Sequence, residues 1–234
     1  MRTIASRQIA SREIQTPVVI RDAVFHKCSF DSCALSDRIA GPDQAATLQN
    51  VTFDRCSFHK NCSVGNVVLE DVHLTSCKTS GLLFCLGTLL NRVTMSGDCC
   101  RFSVSSKTQE RGVAGGGVLT ADQIATFDAA RGRCYEAVDW ALDIRTARFK
   151  AFDMDDSVPA QVVRVNNVDQ VIVDVRRIDK AALPAMERLT GAFRSMIRLA
   201  ADNVVLVAAM LNKRRAEQEL RAIEFLQTEG FTVG

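Results

Sequence analysis

Two stretches, FHKCSFDSC at 25–33 and FDRCSFHKNC at 53–62, share the word CSF and flank it with FHK and FD in exchanged order. Phe25, Phe30 and Leu35 are five apart, and two residues before each stand Ala23, Cys28 and Cys33. The unit is a small residue, any residue, a large apolar residue, then two mostly polar ones. It returns as Val51/Phe53 and Cys56/Phe58. After a one-residue slip it runs through Val67/Leu69, Val72/Leu74, Cys77/Thr79, Leu82/Phe84 and Gly87/Leu89. It surfaces again at Ala147/Phe149 and Phe152/Met154, and less cleanly at Val163/Val165. A helix repeats every 3.6 residues and a flat strand every 2, so a step of five fits neither. Fixed-period self-similarity marks a stacked, quasi-one-dimensional fold. The competing reading is an antiparallel β-sandwich of short strands; several consecutive steps in one phase favour the stack.

The pattern resembles the pentapeptide-repeat family over about 22–35 and 49–104, with a degenerate return near 145–175. The resemblance implies a mainly β protein: a right-handed, four-sided parallel β-solenoid with one five-residue step per side. Its large residues would point inward, here Phe25, Phe30, Phe53, Phe58, Leu69, Leu74, Phe84 and Leu89. The small residues Ala23, Cys28, Cys33, Cys56 and Cys77 would fill the corners. Cys, Val and Phe do most of the filling here, in place of the family's common Ala-Asp/Asn-Leu step.

The exchanged words follow from this arrangement. CSF recurs because 28 and 30, then 56 and 58, hold equivalent inward slots, while the residues around them point outward and vary. Their offset of 28 is not a multiple of five, so a register break must intervene. SDRIAGPDQAATLQN at 36–50 supplies it, with a strong turn signal at Gly41-Pro42-Asp43. A second interruption spans about 105–135. SSKTQERGVAGGGVLT at 105–120 lacks the Gly-Lys-Ser/Thr ending of a phosphate loop and reads as a mobile surface loop. Thr120 to Gln123 is a capping-box pattern that opens a short helix near 121–130. Trp140, the only tryptophan, reads as a packing anchor.

Residues 180–234 change character. Leu183, Met186, Leu189, Phe193, Met196, Ile197 and Ala200 recur at helical spacing, with Pro184 in the first turn. A second helix is predicted from Asp202 or Asn203, carrying Val204, Val207, Ala208 and Leu211, and ending before Gly230. Its other stripe, Val205, Ala209, Ala216, Leu220 and Ile223, broken by Asn212, is the candidate dimerisation seam. The basic run 213–215 reads as a solvated face. Residues 1–179 are thus the expected solenoid and 180–234 a helical cap or dimerisation segment.

Composition bounds the function. The 234 residues carry a net charge of only +2, which argues against nucleic acid as a partner and gives no field toward a membrane. The N-terminus lacks a continuous apolar stretch of signal-peptide kind, and the longest apolar run, Val204–Leu211, falls far short of about 20 residues. A cytoplasmic protein is expected. The nine cysteines include no CxxC pair, and the histidines are His26, His59 and His73 alone. The thiols therefore read as buried core filler rather than disulfides or zinc ligands. Asp153, Asp155 and Asp156 form a small acidic cluster, and Cys99-Cys100 places adjacent thiols on opposite faces of a strand; neither makes a convincing metal or nucleophile site. No catalytic, cofactor-binding or metal-binding residue is expected.

His26, Lys27, Arg55, His59 and Lys60 face outward in the expected fold and are the candidate partner-binding residues. The resemblance and the variable outer faces together point to a non-catalytic protein that binds another protein. The first choice is a bacterial immunity or antitoxin-like protein masking a toxin or effector enzyme. The alternatives are a topoisomerase-protecting DNA mimic, which would need a strongly acidic face, and an enzyme with an unrecognised site.

Overall fold

The structure is a computed structural model that describes residues 1–10, 13–14, 19–36, 46–60, 62–65, 67–80, 83–106, 120–155 and 157–233, with backbone alone at 10, 13–14, 34–36, 83–84 and 86. Its larger part is a set of chain passes lying side by side in parallel. The first comprises β1 (Arg2–Ala5), β2 (Gln8–Ala10) and β3 (Glu13–Ile14). The second comprises β4 (Val19–His26), β5 (Ser29–Asp31) and β6 (Ala34–Ser36), and the third β7 (Ala46–Asp54), β8 (Ser57–His59) and β9 (Ser63–Gly65). Next come β10 (Val67–Thr75), β11 (Lys78–Thr79) and β12 (Leu83–Leu86), then β13 (Leu89–Asn91) and β14 (Val93–Ser105). A helix, α1 (Ala121–Ala137), precedes β15 (Leu142–Met154) and the short β16 (Val163–Arg164).

Register shows how the passes stack. Arg2 pairs with Ala23, Val51 with Val72 and Leu142 with Val163, each an offset of 21 residues. The offset widens where chain is inserted: Ala23 pairs with Val51, and Val93 with Leu142. The two expected interruptions lie in those gaps, although the Gly41-Pro42-Asp43 turn and residues 107–119 fall outside the described residues. One sheet runs β1-β4-β7-β10-β14-β12-β9-β6-β3, so β14 pairs with β10 at its start and with β12 at its end. A second sheet, β11-β8-β5-β2, forms another side.

The step of five has a backbone counterpart. Asp22, Lys27 and Ser32, then Asn50, Arg55 and Lys60, then Asp71 and Ser76, all have φ near +50°. Each follows a large inward residue by two places and turns the chain at a corner. This left-handed conformation costs a non-glycine residue about 1 kcal/mol, less for Asn and Asp, so the surrounding hydrogen bonds must hold it. From Lys60 to Asp71 the spacing is eleven, one more than two steps of five. With that extra residue Asn50 and Asp71 lie 21 apart, the same offset as the strand pairing, which accounts for the slip in the sequence pattern.

Inside, most of the expected inward residues are found. Ala23, Phe25, Cys28, Cys56, Leu69, Leu74 and Cys77 are buried, but the expected inward Leu89 is corrected: an offset of 21 carries Leu69 to Leu90, which pairs with it and joins the core. Cys33, Phe30, Phe53 and Phe58 are half-buried and pack against the same core. Phe25 stacks on Phe53, and Phe30 on Phe58, each pair with ring centroids 5.1 Å apart. The next residue in the second column is Thr79, too short to continue the aromatic stack. An apolar void of about 50 Å3, lined in part by Phe53, Phe58, Leu74 and Cys85, lies within this core. The side chain of Phe84 lies outside the described residues.

The first pass was hidden in the sequence. Ile4, Ile9 and Ile14 are five apart, but Arg2 and Arg7 stand where a small residue is the norm. Both arginines are exposed, Arg2 on β1 and Arg7 just before β2, the edge strands of their sheets.

The C-terminal part differs from expectation. β17 (Gln170–Asp174) pairs antiparallel with β18 (Asn203–Val207), and α2 (Gly191–Leu199) and α3 (Lys213–Thr228) pack around them. The boundary expected at 179/180 therefore moves upstream, because Val171, Val173, Val175 and Ile178 belong to this lobe's own core with Phe193, Ile197, Ile223 and Leu226. The predicted return of the stack beyond Val165 is likewise corrected, since 170–174 run antiparallel. The second helix does not start at 202. Val204 to Val207 are all buried, and a β-branched run buried on both faces suits a strand. Asn212 caps α3 by accepting a hydrogen bond from the Arg215 amide. The first helix starts at Gly191, capped by Thr190, and Leu183–Ala185 forms only a 3-10 turn. Among the described residues no helix is long and apolar enough to cross a membrane.

Candidate recognition surface

Outward residues inherit the register of the inward ones. His26 follows Phe25 and Asp54 follows Phe53, so pairing of β4 with β7 sets them side by side. His26 Nδ1 lies 2.6 Å from Asp54 Oδ2. At the next position the left-handed corners Lys27 and Arg55 donate their amides to the carbonyls of Asp54 and Thr75, respectively. Arg55 turns back to Asp54, with Nη2 2.9 Å from Oδ2. Around the corner Asp31 pairs with His59, and Lys60 Nζ donates to Asp31 Oδ2 at 3.0 Å.

The five expected partner-binding residues are thus brought onto two adjoining sides. The sequence reading missed the two carboxylates that organise them. The Arg55 guanidinium, and then His26, hold the Asp54 carboxyl below the usual carboxylate range despite some desolvation. Lys60, with Ser32, does the same for Asp31. The signal for Asp54 was present: FHK and FD swap places between two passes, so basic and acidic residues must meet once the passes align.

A second array continues along β7, β10 and β13. Gln49 donates to Glu70 at 2.8 Å, and Asn91 sits on the other side of the same carboxylate at 3.5 Å. Arg92 grips Asp71 through Nε and Nη2 at 2.6 and 2.7 Å, which lowers the Asp71 pKa. Asn50 donates to Asp22 at 2.6 Å. Each bond spans neighbouring passes, so the surface array and the stack reinforce one another. Exposed pairs of this kind contribute about 0–1 kcal/mol each, and their greater effect is to fix side-chain positions.

The other candidates fall elsewhere. Cys99 is buried and Cys100 half-buried. Burial pushes the Cys56 and Cys99 thiols up to about 11 and Cys85 up to about 12. The thiols of Cys28, Cys56 and Cys77 donate to the carbonyls of Ile4, Phe25 and Phe53, the same bond repeated pass after pass. They act as corner filler with an internal hydrogen bond rather than as thiolates. Asp155 accepts hydrogen bonds from Ser105 and Ser157, while Asp153 is exposed and Asp156 lies outside the described residues. Ser157 in turn accepts from the Ser106 amide, and the Ser106 hydroxyl meets Tyr135 and the Thr88 carbonyl. This polar clasp joins three passes and α1. Trp140 is half-buried, with the Arg164 guanidinium 4.6 Å above its ring, rather than deep in the core.

The expected dimerisation stripe is corrected too. Val205, Ala209, Ala216 and Ile223 are buried within the single chain. Val205 lies on β18, Ala209 in the connection after it, and Asn212 is a cap, so the six residues do not share one helix. Leu220 is half-buried against the lobe core. Glu219, only 2% exposed, lies on α3 and accepts from the Ala209 amide at 2.7 Å and from Arg215 at 2.7 Å. Comparison with protein-family models, with curated proteins and with solved structures finds no match to this chain.

Proposed function

We propose that the passes wind as a right-handed, four-sided β-solenoid of pentapeptide-like steps, capped by the C-terminal lobe. On this reading the protein is a non-catalytic binding module that masks a toxin or effector enzyme. The parallel pairing at a repeated offset of 21 and the left-handed corners every fifth residue support the winding. One observation carries the binding reading: His26, Asp54 and Arg55 form one mixed-charge cluster, and Asp31 and Lys60 another, on adjoining sides of the stack. Strand spacing of about 4.8 Å fixes such groups in advance, so a partner of complementary charge need not order them on docking.

The test is co-purification from the native cell, followed by reconstitution with the purified partner and assay of that partner's activity. The wild-type chain should inhibit it. Arg55→Glu with Lys60→Glu should weaken binding by roughly 100-fold with the melting temperature little changed. A partner whose activity is unaffected, or a charge-reversed chain that binds like the wild type, would sink the reading. Turnover of a substrate that is abolished by His26→Ala in a folded protein would replace it with an enzyme.

A further inference from the structure

We propose that the groove between the start of α2 and the exposed side of α3 binds an organic phosphate. This goes beyond the partner-binding reading and does not depend on it. The groove has a volume of about 710 Å3 and receives the side chains of Arg188, Arg194 and Arg221. Among the described residues none of these three makes an ion pair. Arg188 rests against the Phe225 ring, its guanidinium carbon 5.6 Å from the centroid. Arg194 donates to the Pro184 carbonyl at 3.4 Å, which uses one of its five donors.

Three guanidiniums around one groove suit a dianion, and their planar forks match phosphate oxygens. Thr190 and Gly191 also line the groove, so the positive end of the α2 dipole adds to the field. Glu187 and Glu224 line it as well. They would repel a bare polyanion but can accept hydrogen bonds from hydroxyl groups. The volume lies within the range of small-molecule sites, roughly 300–1,000 Å3, and is far more than phosphate alone fills. The chemistry is therefore a phosphate monoester on a hydroxylated carrier.

Calorimetric titration of the full chain with ribose 5-phosphate, inorganic phosphate and ribose tests this. Saturable binding of ribose 5-phosphate is expected with a dissociation constant below about 1 mM, with phosphate weaker and ribose silent. Arg194→Ala and Arg221→Ala should each weaken it by about tenfold. Arg198→Ala, outside the groove, should leave it unchanged. Circular dichroism checks that the variants fold; Arg221→Lys, which keeps charge but loses the fork, should still weaken binding severalfold. No saturation by about 10 mM, or undiminished binding in the folded Arg194→Ala/Arg221→Ala pair, overturns the proposal. Equal affinity for inorganic phosphate overturns its organic part.

Discussion

In the parallel stack, Cys77 donates its thiol proton to Phe53 just as Cys56 does to Phe25 and Cys28 to Ile4. In the C-terminal lobe, Glu219 accepts from the Ala209 amide ten residues back and from Arg215 four residues back, with no strand register setting the spacing. The first region builds its core from a few positions used repeatedly, so a residue's environment is set by its counterparts in the passes on either side. The second builds its core from side chains meeting in unique combinations. Repetition makes the stack readable from spacing, and it makes damage spread along a column. The lobe hides its plan until the chain is folded.

The largest effect should separate the two regions most clearly. Phe102 is fully buried in the stack and packs edge-on to Phe149. Phe102→Ala should destabilise by roughly 3–5 kcal/mol. Hydrogen exchange read by mass spectrometry should show protection falling across β10, β12, β14 and β15 before it falls in α2 and α3. Equal loss in both regions would show that they unfold as one unit and would end the distinction.

Alkaline pH offers a second separation, since every cysteine lies at or before Cys134 and the lobe has none. Buried thiols such as Cys56 and Cys99, raised to about 11, stay protonated in the folded chain while unfolded thiols ionise near 9.0. The folded state then holds more protons, so stability present below pH 9 is lost as pH rises from there through the folded values. The loss should be about 1 kcal/mol per buried thiol for each pH unit in that window. Denaturant melts from pH 7 to 10.5, followed by exchange, should place it in the stack. A Cys56→Ala/Cys99→Ala chain with the same alkaline slope as wild type would contradict the assignment.

The smallest of the three effects lies in the lobe. Glu219→Ala leaves the buried Ala209 amide without its acceptor and should cost about 1–3 kcal/mol. Glu219→Gln should recover part of it, because the amide oxygen can still accept. Exchange near 208–212 and in α3 should rise while the stack is unaffected. A neutral melt for Glu219→Ala would mean that this single contact is dispensable.

Legibility in the sequence follows the same divide. Many inward residues of passes two to four were readable because Ala23, Cys28, Cys56 and Cys77 leave room beside large neighbours, but the spacing pointed to Phe84 where Cys85 holds the register with Val64. The first pass escaped because Arg2 and Arg7 break that rule at the outermost strand. VVLVAAM at 204–210 carries no polar contrast, so spacing alone could not tell a strand from a helix, and only pairing with β17 decides it. The surface was half readable. His26, Lys27, Arg55, His59 and Lys60 stood out as outward residues, but His26 meets Asp54 only through an offset of 28, and inserted chain disguises that number. The arginine groove was invisible, because Arg188, Arg194 and Arg221 come together only after a 3-10 turn, a helix start and a second helix are in place.

The offset of 21 has a mechanical reading. In a stack of parallel passes, each strand is bonded sideways to its neighbour, so tension applied at one end loads the outermost pass alone. Such a structure peels instead of shearing. Every pass of 21 residues that lets go adds about 70 Å of slack at roughly 3.4 Å per residue, and the two larger offsets add correspondingly longer increments. Stretched from the N-terminal side, the molecule would pay out chain like a ratchet, one tooth per pass, with the spacing of the teeth already written in the pairing of Arg2 with Ala23.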